Sequence, residues 1–135
     1  KLMIALEMIG YYDSTPGSQD YPSPAMSWLY PDRGDFIAVV GRMQDINAVR
    51  QVKAALLSSR DLSVYSMNAP GFIPGIDFSD HLNYWQHDIP AVMITDTAFY
   101  RNKQYHLPGD IADRLNYQKM AQVVDGVTTL LYNSK

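Results

Sequence analysis

"FIAVVGRMQDINAVRQVKAALLSSRDLSVYSM", residues Phe36 to Met67, decides the fold class. Its first six residues are apolar and stop at Gly41, which reads as a buried strand. Ile46, Val49, Val52 and Leu56 then recur at helical spacing, predicting an amphipathic helix over Asp45 to Ser59, capped near Asp45. "LSVYSM" (Leu62 to Met67) is short, β-branched and aromatic, and reads as a strand. Strand, helix and strand in succession place the chain in the α/β class.

Working outward, the pattern repeats. Leu2 to Ile9 is an apolar run ended by Gly10 and reads as a strand buried on both faces. "PAVMITD" (Pro90 to Asp96) reads as a fourth strand. Ser79 is placed to cap a short helix running to about His87, in the segment that follows the breaker-rich "NAPGFIPGIDF". Met120, Val124, Val127 and Leu131 predict the packed face of a closing helix. Two connections are long: Asp13 to about Asp35, with Pro16, Gly17, Pro22, Pro24 and Pro31 among its residues, and Thr97 to about Asn116. Loops of that length in a compact domain are functional or cover something. The expected architecture is an α/β sheet flanked by helices, with its chemistry beyond strand C-termini.

The 135 residues fit one domain, with 47% apolar and 19% charged residues as in ordinary globular chains. A net charge of -3, with scattered Lys and Arg, argues against nucleic-acid binding. The absence of cysteine excludes disulfides and thiolate metal sites. No apolar run is long enough to span a bilayer as a helix, so no membrane partner is expected. Lys1 opens directly in a strand, which suggests a processed product or, more readily, a piece of something longer.

Glu7 is the sole glutamate, and it ends an apolar run. Asp80 and His81 stand at the expected start of the short helix, and His106 lies on a loop in "RNKQYHLPGD". Each has a bland alternative: an acid favoured at a helix start, a packed core histidine, a surface loop residue. His87 is best read as a surface or helix-end residue, and Asp96 as a turn former. Taken together, Glu7, Asp80, His81 and His106 are donors that zinc accepts when no thiolate is present. With no nucleophile elbow, P-loop or H-E-x-x-H in the chain, metal-assisted hydrolysis is the leading chemistry.

"ALEMIGYYD", "GIDFSDHLNYWQHDIPAVMITDTAFYRNKQYHLPGDIADRLNY" and "QKMAQVVDGV" resemble, in order, the zinc-dependent aminopeptidases of metallopeptidase family 28, whose fold the glutaminyl cyclases share. The resemblance runs from Leu2 to about Val127. It implies a partial zinc-exopeptidase (phosphorylase/hydrolase-like) fold, with residues 1–135 forming the C-terminal portion of a catalytic domain that removes N-terminal residues from peptides. It implies that Glu7 binds one of two zinc ions and His106 the other. Asp80 and His81 would support the metals or wall the substrate pocket, and Tyr105 and Asp110 would support His106. Leu107 and Ile111 stand where the family usually has threonine, so those two hydroxyls are missing from the hydrogen bonding around His106.

The family site also needs an upstream His-x-Asp pair and an adjacent Glu-Glu pair that supplies the general base. The chain has one glutamate and no histidine before His81, so no catalytic residue of the family lies within it. The expectation is that this chain alone binds zinc weakly or not at all and lacks peptidase activity. Its expected partners are an N-terminal half, a peptide substrate once complete, or a second copy. Two other readings stand beside this one: a non-catalytic binding or assembly module on the same scaffold, and a glutaminyl-cyclase-like transferase. The family resemblance leans towards an extracytoplasmic or secreted location.

Overall fold

The computed structural model describes residues 1–70 and 73–133. Gly71 and Phe72, within the breaker-rich loop read from the sequence, lie outside the described residues. Four strands form one sheet: β1 (Met3–Leu6), β2 (Phe36–Gly41), β3 (Ser63–Asn68) and β4 (Ala91–Thr95). Among the described residues, three α-helices accompany them: α1 (Ile46–Leu56), α2 (His81–Trp85) and α3 (Tyr117–Asn133). The α/β architecture expected from the sequence is the one observed.

The strand order is β1-β4-β2-β3. β1 runs parallel to β4 and β2 parallel to β3, while β2 and β4 are antiparallel. The C-terminal ends of β1 and β4 therefore share one end of the sheet. β2 is central and every one of its residues is buried, as its unbroken apolar run requires.

Side chains alternate across the pleat and define two cores. Ile37, Val39, Val92 and Ile94 point towards α1 and α3, meeting Val49, Val52, Leu56, Val123 and Leu130. Phe36, Ala38, Val40, Ala91 and Met93 point the other way, where Ile76 and Trp85 cover part of the surface. The two long helices pack closely because Gly126 of α3 sits against α1. A Cβ there would lie 2.8 Å from the Leu56 Cα.

Three details differ from the sequence reading. β1 is shorter than Leu2 to Ile9 and is not buried on both faces, because it forms a sheet edge and only Ala5 is buried. The strand stops where the chain turns after Glu7 through Met8, whose φ of 54° is left-handed. Ser79 does not cap α2 with its side chain; Asp80 precedes that helix, and the Ser79 hydroxyl is bonded elsewhere. The packed face of α3 is centred on Val123, Gly126 and Leu130, leaving Val124 and Leu131 exposed. The close approach to α1 selects the glycine side of the helix, rotating the wider apolar stripe partly outward.

Candidate functional site

Glu7 follows β1 directly, and its backbone N–H donates to Ile94 O at 3.0 Å, continuing the β1–β4 ladder. Its side chain is half-buried, and Oε2 accepts a hydrogen bond from Ser79 Oγ at 2.9 Å. At the matching end of β4, Asp96 is 1% exposed. Asp96 Oδ2 accepts from the N–H groups of Gly10 (3.1 Å) and Tyr11 (2.7 Å), and Oδ1 accepts from Ala98 N at 3.0 Å. Burial pushes the Asp96 carboxyl above the ordinary range, while these N–H groups and Arg101 pull the other way. Asp96 thus clamps the turn after β1 to the turn after β4.

That clamp holds a strained corner. Met8, Thr97 and Ala98 all have positive φ (54°, 74° and 49°), and none is glycine. Non-glycine residues in this region persist only where surrounding contacts over-determine them, and they concentrate at functional sites.

An apolar cavity of about 100 Å³ opens on the less covered face of the sheet. Its floor includes Phe36, Val40 and Met93, and its roof includes Tyr21, Met26 and Tyr30 from the long loop that follows β1. Glu7 is the sole carboxylate in its lining. Such a cavity, apolar with one charged group at its wall, fits a ligand that pairs an apolar body with a cationic head.

His81 lies close by but is fully buried. Its Nε2 faces Ile76 O at 2.6 Å, so that nitrogen carries the proton, and its ring meets Trp85 edge-on at 4.4 Å. Burial lowers its pKa; the Ile76 carbonyl and the charges of Asp77, Glu7 and Asp80 partly offset this. His81 does not line the cavity. Asp80 is exposed at the start of α2, and His87 is exposed beyond that helix.

His106 is exposed and left-handed, with φ 59°. Its ring stacks on Tyr105 at 3.9 Å; Tyr105 meets Phe99 at 5.8 Å, and Phe99 meets Phe78 at 6.3 Å. This line of rings joins the His106 loop to Phe78, the neighbour of Ser79. Buried Asn102 organises the loop: its Nδ2 donates to Asp110 Oδ1 at 2.8 Å, and its Oδ1 accepts from Gln104 N and from Arg114 Nη1. Asp110 is thereby bonded to Asn102, and Tyr105 to the ring line.

Sequence reasoning did not single out Gln19, Arg101 or Asn102, which position these loops. Arg101 is 2% exposed; its Nε donates to Gln19 Oε1 at 2.9 Å and its Nη1 to the carbonyls of Phe36 (2.9 Å) and Tyr11 (3.1 Å). Gly34 admits this side chain, since a Cβ there would lie 2.5 Å from Arg101 Cδ. "FYRN" contains both polar residues beside two aromatics, but only the long-range partners reveal their burial.

Among the described residues, no three or more His, Cys, Asp or Glu side chains gather where they could hold one metal ion. A structural zinc ion takes four ligands and a catalytic one three, so Glu7 and His106 do not by themselves make a site.

No protein-family model matches the chain. Over all 135 residues it is 93% identical to the uncharacterized protein YfbL of Escherichia coli (strain K12), and it spans 42% of that protein's length. Its fold is found in two crystal structures of Legionella pneumophila LapA, one described as LapA aminopeptidase. The TM-scores are 0.63 and 0.66 at 18% and 19% sequence identity. The likeness covers 97% and 96% of this chain but only 31% and 30% of those chains. The chain therefore shares the fold of about a third of LapA. No helix among the described residues is long and apolar enough to cross a membrane.

Proposed function

We propose that this chain is the C-terminal portion of a co-catalytic zinc aminopeptidase domain, which hydrolyses N-terminal residues from peptides once its remaining elements are supplied. The observation that carries the reading is Glu7: a carboxylate at the end of a strand, oriented by Ser79 and set in the wall of an apolar cavity. The LapA-like fold supports it. In this reading the cavity receives the apolar side chain of the substrate's N-terminal residue. Glu7 and His106 each give one bond to a different zinc ion, and the other donors and the general base come from the remainder of the protein. His81 fixes the turn at Ile76, Tyr105 and Asp110 fix the His106 loop, and Asp80 is a supporting residue at the start of α2.

The donors within the chain do not complete a metal site, so its own contribution is to bind and orient. The cavity positions an apolar group, Ser79 holds one carboxylate oxygen of Glu7, and the aromatic line fixes the His106 turn. The test is complementation. The chain is mixed with the separately produced remainder of the longer relative and zinc, and leucine p-nitroanilide hydrolysis is followed. Activity in the mixture, and its loss with Glu7→Gln, is the expected result; a folded complex without activity would count against the reading.

A second reading, an assembly module, is favoured by the surface of α3. Tyr117, Val124 and Leu131 recur every seven residues on its exposed side, and β1 leaves one sheet edge open. Light scattering separates the two: a dimer that persists after the remainder of the longer protein is added supports assembly as the function.

A further inference from the structure

The long loop after β1 is built in two parts with different attachments. Its base is fixed. Asp13 N donates to Gly34 O (2.8 Å), Gln19 N to Asp32 O (3.1 Å) and Asp20 N to Tyr100 O (2.8 Å). Ser18 Oγ donates to Asp13 O and accepts from Gly34 N, and buried Arg101 holds Gln19. At the neck, Tyr21 Oη donates to Pro31 O at 2.6 Å, closing the segment between them into a unit.

The tip beyond that neck is attached differently. Its short 3-10 turn, Pro24–Trp28, has no buried residue. Met26 N–H donates to Ser23 O, and both Leu29 N–H and Tyr30 N–H donate to Met26 O, all within the tip. Among the described residues, one side-chain hydrogen bond ties it to the sheet: Tyr30 Oη donates to Ser66 O at 3.0 Å. The tip is two-faced. Met26 and Tyr30 roof the cavity, whereas Trp28 and Leu29, 87% and 78% exposed, face outward.

We propose that residues 22–30 form a lid over the cavity, latched by Tyr30 on Ser66, and that Met26 and Tyr30 set the size of the apolar group admitted. The neck gives the lid its pivot, with Pro22 and Pro31 on either side limiting the backbone there. Opening breaks the Tyr30–Ser66 latch and the edge-on contact of the Tyr30 ring with Tyr65 (6.1 Å), and separates Met26 from the floor, without disturbing the bonded base. With the lid closed, about 100 Å³ remains, less than the ~150 Å³ of an engineered cavity that accepts benzene. A short branched aliphatic group fits, and in this chain without zinc the Glu7 carboxylate at the wall favours a primary ammonium head. The ligand class is therefore a small branched alkylamine or a residue presenting one. This rests on the cavity's proposed role as the seat of a substrate's terminal side chain.

Chymotrypsin tests the lid in the intact chain. Tyr21 and Tyr30 are followed by proline, so Trp28–Leu29 is the aromatic-directed bond within the lid that the protease can cut. Cleavage there is timed for wild type, Tyr30→Phe and Met26→Ala, with and without saturating 3-methylbutan-1-amine. Tyr30→Phe loses the latch and should speed this cut about 2–10-fold, the effect of one net hydrogen bond. Cleavage after buried Trp85 should stay unchanged. The amine should slow the lid cut in wild type, and Met26→Ala should extend protection to 2-phenylethylamine.

An unchanged lid cut in Tyr30→Phe, or one accelerated no more than the cut after Trp85, overturns the lid. If the latch variant behaves as expected but neither amine protects, the size-setting role falls together with the proposed use of the cavity. If the amine protects wild type while the latch variant has no effect, the cavity reading stands and the lid alone fails.

Discussion

Ser79 Oγ donates to Glu7 Oε2 at 2.9 Å, joining the end of β1 to the residue before Asp80 and α2. The bond fixes one oxygen of the carboxylate and leaves the other to a ligand. A hydroxyl in this position acts on affinity more than on folding. Ser79→Ala should change the chain's own stability by only about 1 kcal/mol. On the proposed zinc role of Glu7, the change should weaken zinc binding of the complemented protein about 10–100-fold, the effect of losing an outer hydrogen bond to a metal donor. Chelator competition measures the second effect and urea unfolding the first; an equal loss in both would make Ser79 purely structural.

His81 makes the fold sensitive to acid. Burial holds its folded pKa below the ordinary value near 6.5, so below that pH the unfolded chain takes up a proton that the folded chain resists. Its contribution is intact above about pH 6.5 and falls as pH drops towards the folded value. His81→Leu leaves the Ile76 carbonyl without its donor and should cost about 1–3 kcal/mol at pH 7.5. Urea midpoints at pH 7.5, 6.5 and 5.5 should then decline less steeply for the variant than for wild type. The buried Asp96 has the opposite slope, since its raised pKa favours the protonated folded state at low pH, but it is common to both proteins and cancels in the difference.

Gly126→Ala tests the helix–helix contact. In an exposed helix this change would stabilise by about 1 kcal/mol. Here the added methyl meets the Leu56 Cα at 2.8 Å, and backbone cannot move aside as a flexible side chain can. Overpacking of this kind costs about 1–3 kcal/mol, so the net change should be destabilising. A raised thermal midpoint would show that α3 shifts freely against α1.

Arg101→Met should be the most damaging of these changes. It removes the guanidinium donors to the Phe36 and Tyr11 carbonyls and one of the two donors to Gln19 Oε1, which keeps only the Thr97 hydroxyl. The expected loss is about 2–4 kcal/mol, with the base of the long loop opened to protease. Equilibrium unfolding and limited proteolysis report the two effects separately.

Much of the fold was legible in local pattern. The run from Phe36 to Gly41 is β2 residue for residue, and the four-residue spacing from Val52 to Leu56 marks buried positions of α1. What local pattern cannot carry is which apolar residues find a partner. Val124 and Leu131 continue a helical stripe as well as Val123 and Leu130 do, and only the Gly126 contact decides between them. The same holds at the candidate site. Glu7 stood out because a lone acid ending an apolar run is conspicuous. Arg101, Gln19 and Asn102 resembled ordinary loop polarity, because the carbonyls and side chains that bury them lie far along the chain.

The order of strands also sets how far along the chain each pairing must reach. β2 and β3 are joined by one helix, and β4 follows soon afterwards, so this block can form from contacts close in sequence. β1 has β4 as its strand neighbour, pairing Met3 with Ala91 across most of the chain. Closing so long a loop has an entropic cost that local contacts do not carry, and such pairings slow folding. β1–β4 is therefore the strand pairing that costs the most loop closure, and Glu7 depends on it for its place at the cavity wall. The carboxylate is set there by the least local contact of the sheet and is met by Ser79, 72 residues further along the chain.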